Sequence, residues 1–174
     1  MNKRTKIGGL NVLFNSLEFL IFYPIITILY FILPQRARWI LLLAGSYYFY
    51  MAWRPEYIIL ILISTSVAYF TGLKMGREEH KEKRKKYLYL SLFVNLGLLA
   101  VFKYFNFFNE SLRTLFHQLN IQYNVPGLNL LLPMGISFYT FQTLSYSLDV
   151  YRGSIKPEKH FGIFALYVSF FPQL

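Results

Sequence analysis

The 174-residue chain contains no cysteine. That excludes a disulfide framework, a zinc–thiolate site and a thiol nucleophile. Charge is scarce as well: 15% of the residues are Asp, Glu, Lys or Arg, against about a quarter in an average soluble domain. There are only eight carboxylates, and Glu56, Glu78, Glu79, Glu82 and Glu158 fall in basic stretches. Of the histidines, His80 sits in a charged stretch, His117 on an amphipathic segment and His160 ahead of the last apolar run. None has a second ligand at metal spacing, so each reads as a solvated interface residue. A Gly-rich phosphate loop and a GxSxG elbow are both missing. The chain therefore shows no self-contained active site and no metal or bound cofactor.

Hydrophobic residues make up 55% of the chain and aromatic residues 20%. They cluster into long uncharged runs, which points to an all-α, polytopic transmembrane helical protein. The formal charge of +10 fits basic loops beside a bilayer better than a nucleic-acid partner. The runs predict spans over 14–33, 39–53, 57–73, 87–105 and 128–148, then an apolar stretch at 161–174 where the chain stops. Pro24 lies inside the first span and should kink it. The second span is short, flanked by Arg38 and Arg54, with Trp39 and Trp53 at its ends as an interfacial belt would place them. Between the third and fourth runs, residues 74–86 hold seven basic and three acidic side chains. They read as a solvated cytoplasmic loop, compatible with anionic lipid.

Alternating the sides places Arg36, Arg38, the seven basic residues of 74–86, Arg152, Lys156 and Lys159 on one side. Lys3, Arg4, Lys6, Arg54, Lys103 and Arg113 fall on the other. The richer side is assigned to the cytoplasm and the N-terminus to the outside, as in a bacterial inner-membrane protein. Lys3, Arg4 and Lys6 oppose this orientation. A natural start at Val12, from an alternative start codon, would remove the conflict.

Residues 107–123 are amphipathic. Phe108, Leu112, Leu115, Phe116 and Leu119 share one face, and Asn109, Glu110, Arg113, His117 and Asn120 largely occupy the other. Two readings fit: a helix flat on the membrane surface, or one covering other helices of the protein. The run at 128–148 is unusual in its polarity: Ser137, Tyr139, Thr140, Gln142, Thr143, Ser145, Tyr146 and Ser147 lie within it. Tyr139, Gln142 and Tyr146 form one stripe at helical spacing. Such groups either glue helices together or line a polar substrate path. Pro133 and Gly135 predict a bent entry to this helix.

Five segments in order carry a resemblance: VLFNSLEFLIF (12–22), SYYFYMAW (46–53), LPMGISFYTFQ (132–142), LSYSLDVYRG (144–153) and ALYVSFFPQL (165–174). Together the chain resembles the N-terminal part of the membrane-bound O-acyltransferase family, in its bacterial alginate O-acetyltransferase branch. The resemblance implies that 1–174 is the opening part of one membrane acyltransferase domain. It implies an acyl group, taken from a cytoplasmic thioester donor (acyl-CoA or an acyl carrier), passed toward an extracytoplasmic polysaccharide such as alginate. The implied partners are the lipid bilayer, the remaining C-terminal half, the polysaccharide acceptor and an exported acetyltransferase. The family's catalytic histidine lies downstream of FFPQL, so no residue here carries over as catalytic and the 174-residue piece is expected to be inactive alone. Gly135, Ser137, Tyr139, Gln142 and Tyr146 are the candidate substrate-path residues. The rival reading is a small non-enzymatic membrane protein, a transporter subunit or assembly factor. The reading frame beyond Leu174 discriminates the two.

Overall fold

A computed structural model describes residues 17–53, 55–119, 125 and 135–173. Every regular element among them is helical. Val12, the end of the amphipathic stretch at 120–123, Arg54, and the entry at 128–134 with Pro133 lie outside the described residues.

The residues pack into two compact units, one holding the chain up to Thr65 plus Glu158 onward, the other Ser66–Pro157. In the first unit, α1 (Leu17–Ile32) is almost wholly apolar from Phe19 onward and carries Pro24 inside. Proline has no N–H to give the preceding turn. Close by, Thr27 donates its hydroxyl to the Tyr23 carbonyl at 2.8 Å. α2 (Gln35–Trp53) begins just after Pro34, four residues before the expected span. Arg36 and Arg38 therefore ride on its first turns. Arg38 bends back, donating Nε–H to the Leu33 carbonyl at 3.1 Å and lying 4.9 Å from the Tyr30 ring centre.

The core of this unit is aromatic. Phe49 and Phe171 are buried, with Phe19, Phe22, Ile26 and Ala52 packed around them. Phe171 meets Phe22 edge-on at 5.3 Å. Ser46 of α2 ties the same region together: its hydroxyl donates to the Leu42 carbonyl at 2.8 Å and accepts from the Phe171 N–H at 3.2 Å. α7 (Phe161–Ser169) is short. The apolar run at 161–173 does not form one continuous α-helix: Pro172 has no N–H to give the carbonyl four residues earlier, and its ring crowds that turn. Phe170 turns to extended geometry and a 3₁₀ turn, Phe171–Gln173, follows.

α3 (Ile58–Arg77) follows a 3₁₀ turn, Pro55–Tyr57, and runs past the expected boundary at Leu73. In the second unit, α4 (Lys81–Leu99) starts at once after a three-residue break at 78–80. The charged stretch 74–86 is thus mostly helix, not loop. Lys, Arg and Glu are strong helix formers, and their long stems let the charges reach water from helical backbone.

No proline separates α4 from α5 (Phe105–Gln118), and the helix continues through a π-helical segment, Ala100–Tyr104. The expected surface helix is therefore joined directly to the fourth span. The combined helix has 38 residues, about 57 Å of axis against a hydrocarbon core of about 30 Å. At the junction Tyr104 has φ −115° and ψ −9°, still within the right-handed helical region. Beyond it the apolar side chains Phe107, Phe108, Leu112, Leu115 and Leu119 stay exposed. Asn109 and Arg113, one turn apart, both donate to the Val125 carbonyl at 3.4 and 2.9 Å and pin the returning chain.

Two helices are long and apolar enough to cross a membrane, Pro55–Arg77 and Lys81–Gln118; Phe19–Ile32 is a shorter apolar helix, and Phe161–Gln173 is a shorter apolar stretch made of α7 and its 3₁₀ turn. Large apolar side chains such as Phe93 (78% exposed) and Phe31 (72%) face outward. A water-soluble surface rarely shows so many, whereas lipid accepts them at no cost.

Candidate functional site

The polar helix of the sequence is α6 (Ile136–Arg152). It starts later than the expected 128 and ends later than 148. Gly135 precedes it with φ 72°, a left-handed conformation that glycine adopts freely. Gly153 closes it with φ 78°. The Gly153 N–H bonds to the Val150 carbonyl and the Ser154 N–H to that of Asp149, which makes a Schellman end. Arg84 of α4 completes this end, donating to the Val150 and Tyr151 carbonyls at 2.8 and 2.7 Å. A cation at a helix C-terminus meets both the orphan carbonyls and the negative end of the macrodipole.

α4 and α6 are joined by a buried polar seam. Ser91 and Asn95 on α4, and Thr143 and Ser147 on α6, are each one turn apart and fully buried. The Ser91 and Ser147 hydroxyl oxygens are 2.7 Å apart. Ser147 donates to the Thr143 carbonyl at 2.9 Å, which leaves Ser91 to donate to Ser147. The Thr143 hydroxyl lies 3.0 Å from Asn95 Oδ1 and 2.8 Å from the Thr140 carbonyl. Having one proton, it donates to one of them at a time. Asn95 Nδ2 donates to the Ser91 carbonyl at 2.9 Å. With Thr143 turned to Asn95, every hydroxyl proton in the seam is used.

The candidate path residues divide. Tyr139, Gln142 and Tyr146 share one side of α6 and are buried, half-buried and buried. The Tyr139 hydroxyl has no hydrogen-bond partner among the described residues. Tyr146 presses its ring end against Gly72 of α3. Ser137 lies about 160° around the helix from Tyr139 at 100° per residue. It faces a different element: Lys103, in the π segment, donates Nζ–H to the Ser137 hydroxyl at 3.2 Å. π segments inside α-helices recur at functional sites.

The three histidines are dispersed. His80 precedes α4 and makes no side-chain cap, and His117 is exposed on α5. His160 does more than the interface role expected of it. Its Nδ1 accepts the Ile163 N–H at 3.3 Å, capping α7, and its ring meets Trp39 edge-on at 4.8 Å. Among the described residues no group of three His, Asp or Glu could hold a metal ion.

Sequence reasoning missed two features. One is the pairing of Lys103 with Ser137, which needs the fold. The other was legible: Ala68, Gly72 and Gly76 recur every four residues on α3, the small-residue spacing that lets membrane helices approach closely.

The fold and seam define an all-helical membrane protein whose polar groups are gathered between helices. The chain is similar to about a third of the length of bacterial proteins named for O-acetyl transfer. It is 38% identical over 165 residues to a Pseudomonas putida protein named "Probable alginate O-acetylase AlgI", covering 94% of this chain and 34% of the relative. The protein of the same name from Azotobacter vinelandii is 37% identical, with 94% and 33% covered. A peptidoglycan O-acetyltransferase of Helicobacter pylori is 30% identical over 195 residues, with 94% and 36% covered. The chain thus spans about a third of the length of these curated relatives. The likeness seen in five short segments extends along nearly all of it. No family model matches the chain, and no solved structure does.

Proposed function

We propose that this chain is part of a multi-pass, inner-membrane O-acetyltransferase that passes an acetyl group from a cytoplasmic thioester donor toward an extracytoplasmic polysaccharide such as alginate. One observation carries the reading: 94% of the chain aligns with proteins named for acetylating two different envelope polymers. Alginate and peptidoglycan share sugar hydroxyls as acceptors, so the common chemistry is acyl transfer to a hydroxyl. That reaction needs a base to take the hydroxyl proton, and histidine suits the task near neutral pH.

In this reading the 174 residues build the helical wall rather than the reacting centre. The α4–α6 seam holds two helices in register; Tyr139, Gln142 and Tyr146 line a polar route along one side of α6, and Gly135 and Ser137 stand at its N-terminal entry beside Lys103. The base comes from the remainder of the enzyme, and an exported transferase completes delivery to the polymer. The N-terminus faces outward, and the lysine-rich junction of α3 and α4 faces the cytoplasmic donor. The asymmetry of Lys and Arg between the two sides supports this orientation.

The test is a pair of measurements in bacterial membranes. The 174-residue chain alone, given radiolabelled acetyl-CoA and alginate, is expected to leave the polymer unlabelled. A chimaera with this chain in place of the aligned third of the Pseudomonas putida relative is expected to restore alginate acetylation in a strain lacking that protein. A chimaera that inserts stably yet leaves alginate unacetylated would count against the function. Labelling by the chain alone would count against its role as a wall.

A further inference from the structure

A groove of about 200 Å³ opens between α3 and α4, walled by Val67, Phe70, Thr71 and Leu90 and ending at Lys74 and Tyr87. Thr71 presents no free proton to it, because its hydroxyl donates to the Val67 carbonyl at 2.6 Å. Phe70 and Leu90 are more than half exposed. The groove is therefore apolar along its wall and cationic at one end.

The spacing makes this a gradient. On α3, Phe70, Lys74 and Arg77 follow at i, i+4 and i+7; on α4, Leu90, Tyr87 and Lys83 follow at i, i−3 and i−7. Each pair is about one turn, or 5.4 Å, further from the apolar wall. The Lys74 ammonium rests over the Tyr87 ring, 5.5 Å from its centre. Among the described residues it has no carboxylate partner. The acidic groups nearby are Glu78, which lies 3.9 Å from Lys83, and the exposed Glu79 and Glu82. Seven cations against three carboxylates leave residues 74–86 strongly positive.

We propose that this groove binds one anionic phospholipid, its acyl chain between Phe70 and Leu90 and its phosphate on Lys74. The apolar wall matches a hydrocarbon chain, and the unpaired ammonium one turn away matches a phosphate at the membrane surface. The inference rests on the membrane placement of the chain but not on its enzymatic role.

The experiment reconstitutes the 174-residue chain in phosphatidylcholine vesicles doped with a photoreactive-acyl-chain lipid. The probe is either phosphatidylglycerol or phosphatidylcholine, and cross-links are mapped by mass spectrometry. Phosphatidylglycerol is expected to label Phe70 and Leu90 about fivefold more than phosphatidylcholine, the factor one surface cation contributes. Lys74→Gln should remove that preference, and so should high salt with the unsubstituted chain, which guards against a folding defect. Phe93 is the control, being exposed to lipid at a distance from the basic end. Labelling at Phe93 without headgroup preference at Phe70 and Leu90 would overturn the site alone. No labelling at Phe93 either would overturn the membrane placement and the site together. Displacement of the probe by acyl-CoA but not by excess unlabelled phosphatidylglycerol would assign the groove to a thioester and overturn the lipid.

Discussion

Gly72→Ala measures how tightly Tyr146 is wedged. A methyl group at Gly72 would stand 2.8 Å from Tyr146 Cε1, 2.9 Å from its hydroxyl oxygen and 3.2 Å from Cζ. Carbon–carbon contacts become comfortable at about 3.5 Å, so the ring edge must retreat by roughly 0.7 Å. Tyr146 is only 6% exposed, and a buried ring has few places to go. Overpacking of this kind costs about 1–3 kcal/mol, while replacing a helical glycine by alanine returns about 1 kcal/mol. The expected net loss is about 1 kcal/mol. Gly97 of α4 is an internal control, since nothing lies within 4 Å of its added carbon. Gly97→Ala should gain about 1 kcal/mol from propensity alone. The difference between the two variants isolates the contact. It is read by titrating the micelle-bound chain with SDS and following helicity by circular dichroism. Adding Tyr146→Leu to Gly72→Ala should recover most of the loss. If Gly72→Ala and Gly97→Ala shift stability equally, the ring moves freely and the wedge does not exist.

Thr143→Val keeps the shape of the side chain but strips the donor facing Asn95, and should cost about 0.6–1.7 kcal/mol in the same titration; the cost should vanish in an Asn95→Leu background. His160→Ala should destabilise α7 by about 1 kcal/mol and shift Trp39 fluorescence, whereas His160→Asn should keep the cap, because asparagine also accepts the N–H. Fluorescence and limited proteolysis of the two variants check this.

Part of the architecture was open to sequence reasoning. Apolar runs near Tyr57 and Tyr87 announced α3 and α4, because burial in lipid demands length and apolarity that composition reports directly. The polar density of α6 was equally visible. Charge misled the reading at 74–86: Lys, Arg and Glu mark contact with water, but they are silent on whether the backbone is helical. The amphipathic stretch near Phe108 was recognisable by period, yet its continuity with α4 was not, since a π segment leaves no compositional trace. The wedge at Gly72 left a trace in the Ala68–Gly72–Gly76 spacing that the stripe of Tyr139, Gln142 and Tyr146 overshadowed.

The residues of this chain by themselves determined that it is helical and at home in a membrane, because both follow from local composition and period. Which polar groups meet was decided only in three dimensions. Ser91 and Ser147 are 56 positions apart, as Lys103 and Ser137 are 34 apart. A hydroxyl's place in the sequence cannot say whether it faces a neighbouring helix or an open path; that depends on the rotation of two packed helices about their axes, which only the tertiary contacts set.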